Sequence, residues 1–248
     1  MMSQAVSFVA VRRQFEFRSI EIGRWVSEPE RDRAAIRFSK ALNDLMAVLR
    51  GTEALISLRQ TLGLQFGIGG RPGVAAHYMP ATRQLALAKN AGAGSLAHEW
   101  FHAFDHYMGA RAFMQTAPFQ FASSAWLDGK AMKSHSLNAR LAECLKIILL
   151  SEDGTAPSEL FRNSTRADRG LGTLYYARPE ELCARAFEAF VEDALPDSHF
   201  LVRGTRHSRE AVEGLYPTGE HRQAISRAFS DYFASLGAAL HRQKARTG

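Results

Sequence analysis

Residues 96 to 105 read Leu-Ala-His-Glu-Trp-Phe-His-Ala-Phe-Asp, and the two histidines four apart constrain this chain more than anything else in it. On an α-helix, positions i and i+4 share a face, so His98 and His102 present two imidazoles to one point in space. That is most of a zinc ligand set. Glu99 lies beside them, where a carboxylate can reach a water in the metal's open position and take its proton, as in a metal-dependent hydrolase. The flanks argue for a helix: Gly92-Ala93-Gly94-Ser95 reads as a loop ending in an N-cap serine, and Gly109 as the residue that closes the helix after about four turns. Leu96, Trp100, Phe101, Phe104 and Met108 supply an apolar side, so the polar motif rides on a largely buried helix. The plain alternative is a helix with two solvated histidines.

A hydrolytic zinc site normally has three protein ligands and a water, so a third must be found. His106 fails, because eight residues of helix separate it from His98 by roughly 12 Å along the axis. A glycine break three positions after the second histidine with a third histidine six positions after it is also absent, those positions being Asp105 and Met108. Gly172-Thr173 is followed by Leu174-Tyr175-Tyr176, which offers no carboxylate. Asp105, seven residues from His98, shares the ligand face and is expected to accept an imidazole N–H. A glutamate on a later helix is the remaining route. Pro179 suits a first helical turn, Leu182, Ala186, Phe190 and Val191 form a buried stripe, and Glu180 and Glu181 are first-turn acids. Spacing leaves two readings of Glu181 open: a third ligand, or dipole compensation on a solvated face shared with Arg185, Glu188 and Glu192.

Upstream, Phe8 to Val26 alternates as strand does, with Phe15 and Phe17 on one side and Ile20 and Ile22 on the other after a change of register. Ser27 and Pro29 mark a helix start, with Ile36, Leu42, Leu45, Met46 and Leu49 as its stripe and Gly51 as its end, and a shorter helix runs through Leu62. Leu64, Phe66 and Ile68 predict a strand. Gly69-Gly70-Arg71-Pro72-Gly73 is a tight connection; it lacks the Lys-Ser/Thr ending of a phosphate loop and no helix follows it. Val74 to Met79 and Gln84 to Ala88, parted by Pro80-Ala81-Thr82-Arg83, predict a β-hairpin leading into the His98 helix. A strand beside that helix can take up an extended peptide by main-chain pairing, with His77 in the wall of the site. Thr218 starts a last helix with Ile225, Phe229, Tyr232, Phe233, Leu236 and Leu240 as its apolar stripe.

These elements predict one α+β domain over residues 1–248: an N-terminal strand and helix region (1–63), the hairpin and HExxH helix (64–110), an insert folded around the site (111–171), and a Glu181 helix with C-terminal helices (172–248). With 248 residues, 46% of them hydrophobic, the chain can bury a substantial core. Met1 to Ala10 lacks the pattern of an export signal and Leu145 to Leu150 is too short to span a bilayer, so a cytoplasmic protein without membrane insertion is expected. Cys144 and Cys183 belong to no ligand or redox pattern and are expected as buried thiols. The net charge of +6 permits contact with nucleic acid, but Arg203, Arg206 and Arg209, and Arg242, Lys244 and Arg246, lack interleaved aromatics and read as solvated surface.

His98-Glu99-Trp100-Phe101-His102-Ala103-Phe104-Asp105 followed by Glu181-Leu182-Cys183-Ala184-Arg185-Ala186-Phe187 resembles the HExxHxxD and ExxAxAF pair of gluzincin peptidases of the anthrax lethal factor type. Ala75 to Tyr78, Gly94 to Trp100 and Arg178 to Glu181 also resemble the zincin-like domains of large polyvalent proteins of phages and conjugative elements. The resemblance spans residues 64–110 and 172–195, with a fainter likeness over residues 17–49. It implies a zincin-like metallopeptidase fold with a small N-terminal sheet, an edge hairpin and a mainly helical C-terminal part. It further implies Zn²⁺ held by His98, His102 and Glu181, Glu99 as the base, and Tyr175 or Tyr176 donating to the tetrahedral intermediate of a protein or peptide substrate. The competing expectation is a catalytically silent zincin-fold accessory protein of a mobile element that binds a protein or nucleic-acid partner.

Overall fold

The computed structural model describes residues 6–68, 76–89 and 94–247. It is an α+β arrangement in which one small sheet meets a mostly helical remainder. The expected connection Gly69 to Gly73, the first hairpin residues Val74 and Ala75, and Gly92-Ala93 before the N-cap lie outside the described residues.

The first described element is a helix where strand alternation predicted none. Helix α1 (Phe8–Phe15) buries Phe8, Val11 and Phe15, which are spaced i, i+3 and i+7, and the Ser7 side chain caps it by accepting from the Ala10 amide. Glu16 then takes a left-handed φ of 58° and turns the chain into β1 (Ser19–Ile22). The apparent alternation of Phe15 and Phe17 therefore straddles an element boundary. Helix α2 (Glu28–Val48) starts as expected, with Ser27 and Glu30 forming a capping box and Pro29 in the first turn. Its core stripe is Ala34, Ala35, Phe38, Ala41, Leu42 and Leu45. Ile36, expected in that stripe, is 55% exposed, because alanines and Phe38 occupy the inward face instead. The next helix, α3 (Glu53–Ile56), is shorter than expected: residues 58–60 all adopt left-handed φ, which no α-helix allows.

Strands β2 (Gly63–Phe66), β3 (Ala76–Met79) and β4 (Gln84–Leu87) complete the sheet in the order β1-β2-β4-β3. The first two contacts are parallel, and β3 pairs antiparallel with β4 as the predicted hairpin, leaving β3 at one edge. Helix α4 (Leu96–Ala112) follows and packs against both strands of the hairpin. It does not end at Gly109. A Cβ at that position would lie 2.2 Å from the Gln120 carbonyl oxygen, so the glycine serves a close approach inside the helix rather than its termination.

The insert supplies α5 (Ala122–Leu127), α6 (Ser136–Leu149) and α7 (Glu159–Leu171), followed by α8 (Pro179–Ala194), the short α9 (Arg209–Val212) and the long α10 (Gly219–Thr247). Helices α4 and α8 cross with α10 behind them, and the seam is aromatic. Phe101 stacks on Phe187 at 4.8 Å, Trp100 on Phe187 at 5.6 Å, and Phe229 and Phe233 close the cluster from α10. Each such ring pair is worth about 0.5–1.5 kcal/mol beyond its burial, which makes the α4–α8 crossing a rigid base. Trp100 satisfies its indole N–H with the Ile56 carbonyl at 3.0 Å, so its burial leaves no orphan donor. The stripe predicted for α10 is buried at Ile225, Phe229, Tyr232, Phe233 and Leu240. Cys144 and Cys183 are buried free thiols, and among the described residues no helix is long and apolar enough to cross a membrane.

Candidate metal centre

The front of the α4–α8 crossing is polar where its back is aromatic. His98 and His102, one turn apart on α4, turn their Nε2 atoms toward each other at 2.9 Å. Glu181, in the first turn of α8, brings Oε2 within 3.3 Å of His98 Nε2 and Oε1 within 3.3 Å of His102 Nε2. One ligand atom from each of the three residues lies within 4.8 Å of the others. The solvated face considered for Glu181, Arg185 and Glu188 is absent, since all three are buried.

Two imidazole nitrogens and a carboxylate are a zinc donor set, and two of their three spacings suit a tetrahedral ion, the imidazole pair at 2.9 Å being tighter. Ligand bonds of about 2.0–2.1 Å at tetrahedral angles separate neighbouring ligand atoms by roughly 3.3 Å, close to both nitrogen–oxygen spacings here. Glu181 Oε2 is buried without a hydrogen-bond partner, although such an orphan costs about 1–3 kcal/mol. The electrostatics point the same way. Burial alone would lower the His98 pKa, yet the charge of Glu188, the nearby Glu181 carboxylate, the hydrogen bond of Glu188 and the charge of Glu99 push it up to about 10. Burial likewise raises Glu181, and the two imidazoles outweigh it and hold the carboxyl well below its ordinary range. Three carboxylates around two imidazoles form a pocket of negative potential that a proton or a cation can fill.

Glu188 fixes the first imidazole. Its Oε2 lies 2.9 Å from His98 Nδ1 and accepts from the Tyr216 hydroxyl at 3.1 Å, which presents His98 Nε2 toward the centre. Glu188 was legible as the residue two turns after Glu181 on the same face of α8. Tyr216, in the connection between α9 and α10, carries no local signal.

Asp105 does not hold an imidazole. Its carboxylate accepts the Ser123 amide at 2.8 Å and the Ser123 hydroxyl at 2.5 Å, capping the first turn of α5. An unsatisfied helix-start amide reached it across the α4–α5 contact, and burial pushes its pKa up to about 6 against the pull of the two Ser123 bonds. His102 Nδ1 is correspondingly left without a partner. His106 stays outside the ligand group and pairs through Nδ1 with the Tyr78 hydroxyl of β3 at 2.7 Å. His77 is half-buried in the edge strand, opposite Ala86. Phe121 lies 6.0 Å from the His102 ring and 5.6 Å from that of His106, giving the centre an aromatic wall.

The two tyrosines part company. Tyr175 is 42% exposed, and the desolvation of its hydroxyl, then the neighbouring Glu181 carboxylate with Glu99 adding to it, raise the phenol above its ordinary value. The Tyr176 ring lies instead 5.2 Å from the Arg185 guanidinium, and its carbonyl accepts from the same group.

Residues 167–240 match the family model of large polyvalent protein-associated domain 1. That links the chain to the polyvalent proteins of mobile elements. The matched stretch holds Glu181, Glu188 and Tyr216 and does not reach the HExxH helix. No curated protein and no solved structure matches the chain.

Proposed function

We propose that this chain is a zinc-dependent metallopeptidase with a zincin-like arrangement, in which His98, His102 and Glu181 hold the ion and an extended protein segment is the substrate. The observation that carries the reading is the convergence of two imidazoles and one carboxylate on a single point, with the buried Glu99 as a charged neighbour of His98. When bound, zinc supplies Lewis acidity toward a peptide carbonyl and toward water. Glu99 takes the proton of the attacking water and returns it to the departing amine. The Tyr175 hydroxyl donates to the carbonyl oxygen as charge develops there, a contribution worth about 10²–10³ in rate for a single donor. Glu188 keeps His98 in one orientation. The open edge of β3, packed against α4, offers main-chain groups that can align a peptide over the centre.

A silent accessory protein is the second reading, favoured by the family match lying wholly on the Glu181 side of the site and leaving Glu99 outside it. The base separates the two, because a purely structural ion has no use for Glu99. Purified protein is expected to contain about one zinc per chain, and to cut members of a mixed peptide library. Glu99→Gln should keep the zinc and lose the cleavage. Full zinc occupancy in His98→Ala, His102→Ala and Glu181→Gln alike would refute the ligand set; cleavage unchanged in Glu99→Gln would refute the base.

A further inference from the structure

We infer that Asp168 is the positioning residue of this centre: its buried carboxylate gathers the three successive amides of residues 175–177 and so fixes both Tyr175 and the first turn of the Glu181 helix. Asp168 Oδ1 accepts from the Tyr175 amide at 3.1 Å and from the Tyr176 amide at 2.9 Å, and Oδ2 accepts from the Ala177 amide at 2.8 Å. The Asp168 carbonyl accepts from Thr173 at 3.0 Å, and Gly172, at a φ of 64°, reverses the chain at the end of α7 to make this possible. From the far side, Arg185 of α8 donates to the Tyr176 carbonyl and to Ser164 Oγ at 3.4 Å, while its charge acts on Asp168. The Arg178 amide then bonds the Tyr175 carbonyl at 3.2 Å and the Glu181 amide bonds the Arg178 carbonyl at 3.0 Å, which carries the constraint into the helix that bears the ligand.

Three convergent amides on one carboxylate are more than a helix end requires. Burial would raise the Asp168 pKa, and the Ala177, Tyr176 and Tyr175 amides overcome it and hold the carboxyl below its ordinary range, so the anchor stays ionised and gripping. Asp168 touches none of the three candidate ligands. It acts on them through Tyr175 and through the placement of α8. The inference rests on the metal-centre reading, and it assigns to Asp168 a role in how tightly the site holds its ion.

The test is a double-mutant cycle on metal affinity, read by titrating the metal-free protein with Co²⁺ alone and following its visible absorption. Residues that hydrogen-bond a metal ligand directly typically change metal affinity about 10–100-fold, and Asp168 acts one step further out, so Asp168→Asn, which keeps the shape but opposes one amide with its own NH₂, should weaken Co²⁺ by about ten-fold, the low end of that range. Tyr175→Phe should weaken it by a smaller factor, and should add nothing in the Asp168→Asn background. Hydrogen exchange should quicken at the amides of Tyr175, Tyr176 and Ala177 while the buried middle of α8 keeps its protection, a pattern that general loss of structure does not give. Co²⁺ affinity at the wild-type level in Asp168→Asn, or a Tyr175→Phe factor that multiplies undiminished, overturns the role of Asp168 and leaves the metal centre standing. Failure of the wild-type chain to bind Co²⁺ overturns the metal centre itself, and this role with it. Should Asp168→Asn fail to fold, Asp168→Ser, which is smaller and accepts one amide, serves the same cycle with the same expected and contrary results.

Discussion

Gly109→Ala sets two physical effects of opposite sign against each other. In the interior of a helix, replacing glycine by alanine should stabilise by about 1 kcal/mol through the restricted unfolded chain and the better propensity. The new Cβ would stand 2.2 Å from the Gln120 carbonyl oxygen, which is backbone and cannot swing away. Restoring ordinary contact needs a retreat of roughly 1 Å, and overpacking of that kind costs about 1–3 kcal/mol. The segment that must retreat is tied down, because Ser123 gives its amide and hydroxyl to the buried Asp105 and the Ala125 amide bonds the Phe121 carbonyl. Strain on hydrogen bonds to a buried carboxylate adds up to about 1.5–3 kcal/mol if they break. The expected sum is a loss of about 1–3 kcal/mol, seen as a lower urea midpoint at unchanged slope. Because Phe121 rides on the displaced segment beside His102, binding of peptide at the centre should weaken as well. An alanine variant as stable as the wild type, or more so, would mean that propensity wins and that Gly109 is not a packing requirement.

Three further outcomes follow from the site. Asp105 has a pKa near 6 in the fold against 3.8 ordinarily, so the folded state binds its proton more tightly and its contribution is lost as pH rises from about 4 to about 6; Asp105→Asn should therefore gain on the wild type across that window by as much as about 3 kcal/mol, and parallel stability curves in urea melts at pH 4 and pH 7 would contradict it. Glu188→Gln, which weakens the grip on His98 Nδ1, should lower zinc affinity by about ten-fold in a chelator competition, and an unchanged constant would remove Glu188 from the support of the ligand. Zinc at a hundred-fold excess over its dissociation constant should stabilise the fold by about 2.7 kcal/mol, roughly 5–10 °C in a thermal melt, and a shift of the same size in His98→Ala would show the ion binding elsewhere.

What could be read from the sequence was local. His98, Glu99 and His102 need only the helical period to be brought together, and β3 and β4 need only two short apolar runs around a turn, so both features stand where the spacing put them. Errors arose where one residue type serves two purposes. Gly109 has the composition of a helix terminator and the job of a contact point; Phe15 and Phe17 look like one face of a strand and belong to different elements. Asp105 sits on the expected face of α4, but the partner that claims it is an amide of α5, eighteen residues on, and no helical period reports that competition. Glu181 was open to two readings because its neighbours on α8 are charged, and charge in a helix usually means solvent. Burial of Arg185 and Glu188 was invisible until α7 and the Tyr216 connection were in place around them.

Packing around the two helices also bears on how His98, His102 and Glu181 are held together. A site assembled from loops would share their mobility, whereas here the candidate ligands stand on the polar front of a helix pair whose back is closed by Trp100, Phe101, Phe187 and Phe233. The first turn of α8 is packed through the buried Leu182, and the connection leading into it is tied by Asp168 and by Arg185, which donates to the carbonyl of Tyr176. Aromatic contacts thus set the distance between the helices, and buried carboxylates set the orientation of what they carry. The two contributions act on different coordinates of the site, so damage to the seam should be felt first as lost stability and damage to the carboxylates first as weakened binding of the ion.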